Sequence, residues 1–400
     1  MNAIAFSLFN TPAKYSWGLL DNISLAKIHY PGWRVVVHVE RGHYAIPRIL
    51  AAGAEVIEHS KPVGLDGTFW RFETLADPRF ERTLIRDADS RISDREAAAV
   101  REWIAAGTPL HIIRDAPSHY ARPILGGMFG MKNGSLPGIL DAIEAWQPKA
   151  PYGADEEFLA QTLSTLIPQA TVHGSGKREI PLTLPSQHHI GQRVAPEWNQ
   201  PFQAVVLNPD HYVKRMLRFR GSEDAHGGFL RHRIQRWRAY QPGEVVRPRC
   251  FSNQNHPHYY LATRAHNNII ERAILDQWPL TFVFEDDAEF APDFEERFMQ
   301  FWLALPPRWM GGLLGGTPNH AVRPWGDARV IRQAYGLLGM WAVMWTPEGL
   351  QRAWNHFQWH NRAVCDQALA RLQKEEPHFY APSNWLVRIS KETAQYGAGD

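Results

Sequence analysis

Apolar residues in the first half of the chain alternate between short runs and longer amphipathic segments. The short runs predict strands at residues 3–9, 33–39, 54–57 and 83–85. A capping box from Ser93 to Glu96 predicts a helix that ends at Gly107, and further helices are expected over 136–146 and 155–166. Strands that alternate with helices in this way favour an α/β sheet domain.

A polar passage containing proline and glycine, residues 174–201, interrupts this alternation and predicts a domain boundary near residue 200. The length of 400 residues also favours two domains, 1–200 and 201–400. The elements predicted beyond the boundary are a strand at 204–207, a helix at 265–278, a strand at 280–284 and a helix that starts at Pro292. Aromatic residues recur at helical spacing in the last of these, which indicates core packing (Phe294, Phe298, Phe301 and Trp302).

Composition narrows the class of protein without identifying it. Hydrophobic residues at 44% and charged residues at 21% are typical of a soluble globular protein, and a net charge of +2 predicts no global attraction to polyanions. The start of the chain lacks the pattern of a signal peptide, and no run approaches the ~20 apolar residues needed to span a bilayer. Cys250 and Cys365 are too few for a disulfide framework and fit a reducing compartment, so a cytoplasmic location is expected.

The most informative polar positions follow the strand at 83–85, where Asp87-Ala88-Asp89 forms a D-x-D motif. Alternate side chains of an extended segment lie on one face, so Asp87 and Asp89 could bind one divalent cation. Arg86 and Arg91 flank them, close enough to meet a phosphate. Because Mg²⁺ and Mn²⁺ prefer carboxylate oxygen and often bridge to substrate phosphates, the motif predicts a site for a nucleotide-diphosphate sugar.

A second acidic cluster, Glu285-Asp286-Asp287, follows the apolar strand at 280–284. Three like charges at the end of a strand repel one another unless a cation lies among them. The cluster therefore predicts a second metal site, although the two halves show no sequence repeat.

The motifs of the first half occur in a fixed order along the chain. They are the stretches 67–72, 87–89, 111–115, 124–130, 152–159 and 172–177. Over roughly residues 1–195 this series resembles GT-A-fold glycosyltransferases, particularly uncharacterised bacterial and viral ones. Its closing elements also resemble the glycogenin-type pattern, in which an Asp-bearing helix precedes a His-x-x-Gly turn with a lysine.

The resemblance implies a role for each matching residue. Asp87 and Asp89 would hold the metal with His173, Gly176 and Lys177 would contact the diphosphate, and Asp155 would face the transferred sugar, with Asp115 as a second sugar-facing acid. A cation, Lys177 and an arginine would stabilise the charge that builds on the leaving oxygen. The sequence departs from glycogenin after Lys177, where no Pro-Trp follows. The alternatives are that Asp115 only pairs with Arg114, and that Arg86 and Arg91 are surface charges.

The second half, over roughly residues 203–390, resembles the lipopolysaccharide-type glycosyltransferases of family 25. The matching stretches are 207–209 with Arg215, 263–266, 284–287, 339–343 and Asp366. The resemblance implies a metal at Glu285, Asp286 and Asp287, donor contacts from Asn208, Arg215 and His266, and a catalytic role for Asp366. Arg264-Ala265 depart from the family pattern, so a degenerate domain that binds an acceptor or a partner is the alternative to an active one.

Charge is unevenly distributed over residues 211–250, where ten lysines and arginines face three acids, a formal difference of +7. One interpretation is a solvated face whose arginines pair with acids elsewhere. The other is an anionic acceptor: a lipopolysaccharide core, another phosphorylated glycan, or nucleic acid. Phage enzymes glycosylate hydroxymethylated bases, and such an enzyme would have to reach or flip out a base.

Together these observations predict two tandem GT-A-type domains, each a Rossmann-like α/β/α sandwich. The predicted function is a metal-dependent glycosyltransferase, bifunctional, that takes a UDP-sugar or similar nucleotide-sugar with Mn²⁺ or Mg²⁺ in a bacterial or phage-infected cell. One alternative is a single active transferase domain with a degenerate binding domain. Another is a metal-dependent phosphoryl-transfer enzyme or nuclease, because clustered carboxylates also serve two-metal chemistry.

Overall fold

The computed structural model describes residues 1–9, 12–147, 149, 151–184, 186, 188–195, 197–241, 243–244, 257–317, 322–359 and 364–390. The chain divides into two compact units, Met1–Glu197 (the N-terminal unit) and Trp198–Asp400 (the C-terminal unit). Among the described residues, no helix combines the length and the apolar character required to cross a membrane.

The N-terminal unit is built on a seven-stranded sheet, counted over its described residues, with the order β3-β2-β1-β4-β6-β5-β7. The strands are β1 Asn2–Leu8, β2 Arg34–Glu40, β3 Glu55–His59, β4 Arg82–Arg86, β5 Leu110–Arg114, β6 Met128–Lys132 and β7 Thr171–Gly174. Strand β6 is antiparallel to both β4 and β5, whereas the other neighbours are parallel. The sheet is therefore mixed, with one reversed strand beside the strand that precedes the D-x-D motif.

Helices flank this sheet and close its core. They are α1 Ala13–His29, α2 Ile46–Ala51, α3 Asp94–Ala106, α4 Ile139–Ala145 and α5 Ala154–Thr162, with 3-10 helices at Asp66–Ala76, Pro117–Ala121 and Ile167–Gln169. The 3-10 helix Asp66–Ala76 contributes Phe69 and Phe72 to a buried cluster with Phe129 of β6 and Phe158 of α5. The same helix also carries the polar side chains of Arg71, Glu73 and Thr74.

The C-terminal unit contains an eight-stranded sheet, again over its described residues, with the order β13-β14-β16-β12-β15-β10-β8-β9. The strands are β8 Phe202–Asn208, β9 Ile234–Arg238, β10 Leu280–Glu285, β11 Ala288–Phe290, β12 Gly311–Leu313, β13 Val322–Pro324, β14 Ile331–Ala334, β15 Ala342–Trp345, β16 Phe379–Pro382 and β17 Val387–Ile389. Strands β8, β9 and β10 are mutually parallel, and β15 reverses the direction next to β10. Strands β11 and β17 form a separate antiparallel pair.

The helices of the C-terminal unit are α6 Val213–His226, α7 Pro257–Leu275, α8 Phe294–Ala304, α9 Pro347–Trp359 and α10 Cys365–Glu375, with a 3-10 helix at Gly228–Leu230. The aromatic stripe of α8 is core, as predicted: Phe294, Phe298 and Phe301 are fully buried. A large cluster joins β10 and β15 to α7, α9 and α10, with Trp345 and Phe357 at its centre.

The predicted α/β class is confirmed, because both units are mixed sheets rich in parallel pairs with helices between the strands. The capping prediction is confirmed at α3, where the Glu96 amide donates to Ser93 Oγ at 3.3 Å and Gly107 has a φ of 71°. Only half of the capping box forms, since the Glu96 side chain binds elsewhere. The antiparallel strand β6 and the 3-10 helix Asp66–Ala76 were not predicted, whereas β15 overlaps the strand implied by the resemblance at 339–343.

Candidate functional site

The acidic loop at residues 87–92 follows β4, and helix α1 contacts the backbone of this loop. The buried Asn22 side chain donates from Nδ2 to the Ser90 carbonyl and accepts from the Ile92 amide, both at 2.9 Å. One turn earlier on α1, a Cβ at Gly18 would lie 2.2 Å from the Ala88 carbonyl oxygen, so only glycine permits this approach. Helix α1 thus fixes the loop backbone, and the loop's acidic side chains remain available for other contacts.

Arg71 joins two acids of the predicted donor site. This arginine lies on the 3-10 helix Asp66–Ala76 and is 5% exposed. Its Nη1 is 2.5 Å from Asp87 Oδ1, and its Nη2 is 3.4 Å from Asp155 Oδ2. Burial and the Asp87 charge raise the pKa of Asp155, and the Arg71 charge opposes that rise. The structure therefore brings Asp87 and Asp155 together around one buried cation.

Two glycines pack directly against these carboxylates. A Cβ at Gly126 would lie 2.6 Å from Asp155 Oδ2, and one at Gly127 would lie 2.1 Å from Asp87 Oδ2. Distances this short leave no room for a side chain, so the Gly126-Gly127 turn is part of the geometry that seats both acids. The backbone at this turn therefore approaches the site's own carboxylates closely.

Asp89 lies beside Asp87 but in a more enclosed position, with its side chain 8% exposed against 45% for Asp87. Burial raises the pKa of Asp89, and the Asp87 charge raises it further, whereas Arg193 and Lys14 lower it. Arg193 Nε is 3.4 Å from Asp89 Oδ2. Two neighbouring carboxylates, one of them open to solvent, are the oxygen donors that Mg²⁺ or Mn²⁺ uses together with substrate phosphates, so the pair fits such an ion.

His173 was predicted as a third metal ligand, and the structure corrects this. Its side chain is fully buried on β7, where Nδ1 is 2.9 Å from His111 Nε2 and Nε2 is 3.0 Å from Glu102 Oε2. Because both ring nitrogens have protein partners, neither is available to a metal at the acidic loop. His173 instead links β5 and β7 to α3.

The phosphate role predicted for Arg86 is also corrected. Arg86 is 2% exposed, and it donates to Glu96 Oε1 at 2.7 Å and to the Phe129 carbonyl at 2.8 Å. A guanidinium this deeply buried in an ion pair cannot reach a solvent-exposed phosphate. Arg91 pairs with Asp21 of α1 at 2.9 Å, so its first role is to attach the acidic loop to that helix.

Asp115 does not face the other acids as a free carboxylate. It forms a two-point ion pair with Arg95, at 2.7 and 3.1 Å, and accepts from the Ile190 amide at 2.9 Å. The alternative pairing with Arg114 is wrong as well, since Arg114 pairs with Glu179 at 2.9 Å. These contacts attach Asp115 to Arg95 and to the Ile190 amide, and its sugar-facing role stays a prediction.

The predicted diphosphate turn already holds an anion from within the chain. The Gly176 amide donates to Glu179 Oε2 at 2.9 Å, and Tyr120 Oη donates to the same oxygen at 2.6 Å. Burial raises the pKa of Glu179, but the hydrogen bonds from Tyr120 and Gly176 and the contact with Arg114 leave it lowered overall. Lys177 is exposed. A cavity of about 400 Å³ opens beside this turn, lined by Arg95, Arg114, Asp115, Gly174 to Gly176, Pro181 and Leu182.

In the C-terminal unit, the predicted residues do converge on the second acidic cluster. His266 of α7 is buried with Nε2 at 3.0 Å from Glu285 Oε1. Asn208, at the end of β8, donates from Nδ2 to Asp286 Oδ2 at 2.7 Å, and Arg215 of α6 lies 3.5 Å from Asp286 Oδ1. Each of the three predicted donor contacts thus meets an acid of the cluster, and whether any of them binds a nucleotide stays a prediction.

Asp287 is the least compensated acid in this cluster. Burial, followed by the charges of Glu285 and Asp286, raises its pKa to about 7. Among the described residues its buried Oδ1 has no hydrogen-bond partner. Burial also raises the pKa of Asp366, in the first turn of α10, and the Glu285 charge adds to that rise. The Asp366 carboxyl thus lies close enough to Glu285 for the two charges to interact, and its catalytic role stays a prediction.

Neither acidic cluster brings three ligand atoms within 4.8 Å of one another in the described ranges; one other group, His38, His59 and Glu73, does so. A metal at either acidic cluster would accordingly rely on two protein carboxylates and on oxygens from its ligand. This arrangement is common for Mg²⁺, which keeps waters and substrate phosphates in its shell.

The charge excess over 211–250 is partly neutralised. Arginines of this region that pair with acids are Arg215 with Asp286, Arg220 with Glu223, Arg236 with Asp210, and Arg238 with Asp210 and Glu244. Asp210 lies just outside the window in which the charges were counted, so the sequence count overstated the excess. Arg247 and Arg249 lie outside the described residues.

Sequence reasoning missed the residues that hold the N-terminal site together. Arg71 and Asn22 are both buried and polar, and each contacts the acidic loop. A signal existed for Arg71, the single charge in the run Gly67-Thr68-Phe69-Trp70-Arg71-Phe72. Asn22 sits in an ordinary amphipathic helix, and nothing in its sequence neighbourhood distinguishes it.

No protein-family model and no curated protein sequence matches the chain. Solved structures are similar to part of it. Glucosyl-3-phosphoglycerate synthase from Mycobacterium tuberculosis, in complex with phosphoglyceric acid, is 14% identical over 50% of this chain and 72% of its own, with a TM-score of 0.31. A mannosyltransferase from Pyrobaculum calidifontis, in complex with GDP-Man and Mn²⁺, is 18% identical over 44% of this chain and 57% of its own, with a TM-score of 0.31.

TarS of S. aureus is 14% identical over 45% of this chain and 59% of its own, with a TM-score of 0.32. The chain thus spans less than two thirds of the mannosyltransferase and of TarS. Similarity at this level leaves the function to be inferred from the site itself.

Proposed function

We propose that the N-terminal unit transfers a sugar from a nucleotide-diphosphate sugar in a metal-dependent reaction. The observation that carries this proposal is the pair Asp87 and Asp155 on the buried Arg71, with Asp89 two residues from Asp87, at the end of β4. Ligands of open α/β sheets bind in the crevice at the carboxyl ends of the strands. The two adjacent carboxylates fit an Mg²⁺ or Mn²⁺ ion that also contacts a diphosphate.

The residues of the site would have different roles: some would bind the metal, one orients the acids, and one would contact the sugar. Bound at Asp87 and Asp89, the ion would supply Lewis-acid stabilisation of the leaving diphosphate, a contribution of several kcal/mol. Arg71 orients Asp87 and Asp155 at once, because one guanidinium contacts both. Asp155, at the start of α5 and 3.4 Å from Arg71, would bind the hydroxyls of the sugar. A GT-A-type arrangement of the unit is part of the proposal.

The C-terminal unit carries a second candidate function, a second metal-dependent transfer at Glu285, Asp286 and Asp287. The unpartnered Asp287 Oδ1 and the raised pKa of this acid support it, since a cation there would relieve both. His266 orients Glu285, and Asn208 orients Asp286. The chain would then be a bifunctional transferase of two tandem domains. The alternative remains a C-terminal unit that only binds an acceptor.

The proposed acceptor is an anionic molecule, either a phosphorylated glycan or modified DNA. Its support is the remaining exposed charge of the 211–250 region, in which Lys214, Arg231 and Arg233 lie at the surface. Binding to DNA would fall steeply between low and physiological salt, because phosphate contacts release counterions.

The test uses product mass spectrometry with a panel of UDP- and GDP-sugars, Mn²⁺, glycan acceptors and hydroxymethylated DNA. Asp87→Asn and Asp286→Asn are made separately, and each is expected to reduce one transfer by about 10²–10³-fold while leaving the other unchanged. Loss of all transfer in Asp87→Asn alone would show that the C-terminal unit is inactive. Absence of nucleotide-sugar binding in both units rejects a transferase, and donor-independent DNA cleavage would favour phosphoryl-transfer chemistry.

A further inference from the structure

Three metal-ligating side chains meet away from the acidic loop in the N-terminal unit. His38 lies on β2, His59 ends the neighbouring strand β3, and Glu73 lies on the 3-10 helix Asp66–Ala76. Within the described part of the chain, this is the one group of three histidine, cysteine or acidic residues whose ligand atoms lie within 4.8 Å of one another. No sequence motif connects these residues, and His38 and His59 are 21 positions apart in the chain.

The distances among the three atoms match the size of a first-row divalent metal. His38 Nδ1 is 2.9 Å from His59 Nε2, and Glu73 Oε2 is 4.0 Å from the former and 3.9 Å from the latter. The three atoms form a triangle, and the centre of the circle through them lies about 2.1 Å from each atom. Zinc binds imidazole nitrogen and carboxylate oxygen at this distance.

The second ring nitrogen of His38 is held as it is in protein metal sites. His38 Nε2 is 2.7 Å from Thr74 Oγ1, and both residues are buried. A hydrogen bond on the far nitrogen of a ligating histidine fixes the ring and directs the near nitrogen to the metal. His59 is fixed differently, by stacking on Trp70 with ring centroids 4.5 Å apart and planes 7° apart. Both imidazoles are thus oriented before any metal binds.

Access to the group also suits a cation. The Glu73 side chain is 37% exposed, so an ion can enter on its side and keep a water as its fourth ligand.

We propose that His38, His59 and Glu73 form a zinc site, separate from the acidic loop, that fastens the 3-10 helix Asp66–Ala76 to strands β2 and β3. Two imidazoles and one carboxylate fit zinc, although the same donors also bind other first-row metals such as Fe²⁺, whereas the carboxylates at the acidic loop fit Mg²⁺ or Mn²⁺. Glu73 is two residues from Arg71, so zinc would fix the helix that positions Asp87 and Asp155. With the proton of His38 on Nε2, toward Thr74 Oγ1, the proton in the His38–His59 hydrogen bond belongs to His59, and it would move from Nε2 to Nδ1 of that ring so that both rings stay neutral. The site does not depend on transferase activity.

The experiment titrates the untagged, EDTA-treated full-length protein with Zn²⁺ in competition with a chromophoric chelator. The expected result is one tightly bound Zn²⁺ per chain that excess Mg²⁺ does not displace. His59→Gln and Glu73→Gln should abolish this tight binding, and Thr74→Val should weaken it about 10–100-fold through the freed His38 nitrogen. Co²⁺ in place of zinc should give visible absorption bands in the wild type that His59→Gln lacks.

The control variants separate this site from the others. His188→Ala removes an exposed histidine, and Asp87→Asn alters the acidic loop; both should keep full zinc affinity. Zinc binding that is absent in the wild type, equal in wild type and His59→Gln, or lost in Asp87→Asn overturns the proposal. Circular dichroism in EDTA checks that each variant folds. Should His59→Gln fail to fold, Glu73→Gln decides the question, because its side chain is partly exposed and its loss leaves the histidine pair intact.

Discussion

The acidic groups of the two units differ in how their negative charge is balanced. In the N-terminal unit, a buried guanidinium contacts two of the acids directly, with Arg71 at 2.5 Å from Asp87. In the C-terminal unit, Arg215 is 26% exposed and 3.5 Å from Asp286, and the other contacts come from an amide and an imidazole. The guanidinium of Arg71 therefore orients the acids of the N-terminal site without a bound metal ion. The C-terminal site retains uncompensated charge, so its geometry depends more on a bound cation.

Removing the buried cation should give the largest effect. Arg71→Met leaves Asp87 and Asp155 facing each other, and we expect a loss of about 3–5 kcal/mol in the free energy of unfolding, with loss of donor binding. Arg215→Met is the matched variant of the C-terminal unit, expected to cost less than about 1 kcal/mol because its ion pair is partly solvated. Urea unfolding followed by circular dichroism measures both. Equal losses would show that the two sites are balanced in the same way.

The pH dependence of stability should expose the uncompensated charge of the C-terminal site. The pKa of Asp287 is about 7 in the folded protein against an ordinary value of 3.8. Between these values the unfolded chain has released a proton that the folded chain keeps. The unfolding free energy should therefore fall as pH rises from about 4 to about 7, by on the order of 2–4 kcal/mol.

Chemical unfolding at pH 5 and pH 7.5, in EDTA, tests this expectation. Asp287→Asn should flatten the pH dependence, and millimolar Mn²⁺ should restore stability at the higher pH if the cluster binds the ion. A dependence that survives unchanged in Asp287→Asn would assign it to another group.

Replacing a glycine by alanine should destabilise the protein at the packed N-terminal site but not at an exposed helix position. Gly127→Ala forces Asp87 Oδ2 to move from a position 2.1 Å from the new carbon, so we expect a loss of about 1–3 kcal/mol and weaker metal binding. Gly221→Ala, on an exposed turn of α6 with no atom within 4 Å of the new carbon, should instead stabilise by about 0.5–1 kcal/mol. Thermal unfolding and Mn²⁺ titration of the two variants give the comparison. Unaltered metal binding in Gly127→Ala would place the metal away from Asp87.

The smallest effect on metal binding is expected from His173→Gln. Both nitrogens of His173 are engaged by His111 and Glu102, so Mn²⁺ affinity in the N-terminal unit should change less than about threefold even if stability drops. His266→Gln in the C-terminal unit frees Glu285 and should weaken Mn²⁺ there more strongly. Isothermal titration calorimetry on each variant measures the affinities. A hundredfold loss in His173→Gln would restore its predicted role as a ligand.

Local patterns in the sequence predicted the α/β class, the strands that precede both acidic clusters, and the caps of α3. These features are set by neighbours a few residues apart, which periodicity and capping residues reveal. Asn208, Arg215 and His266 all contact acids of the second cluster, and their role as donor contacts, which the family resemblance implied, stays a prediction.

Contacts between distant segments were not predictable. Arg86 looked like a phosphate ligand because it flanks Asp87, but strand geometry turns it into the interior, onto Glu96. His173 contacts His111, which lies 62 residues earlier in the chain. Arg71 contacts Asp155, which lies 84 residues later. Which partner a polar side chain finds depends on sheet order, and sheet order places β6 between β4 and β5 against the order of the chain.

The Glu179 carboxylate at the turn near Gly176 has a thermodynamic consequence for any anion that binds there. The Gly176 amide, Tyr120 and Arg114 all donate to it, so an incoming phosphate competes with a group that is always present at high local concentration. The observed affinity then equals the intrinsic affinity multiplied by the fraction of molecules in which Glu179 has left the turn. This built-in competitor would raise the anion concentration needed for half-saturation of the turn by the inverse of that fraction.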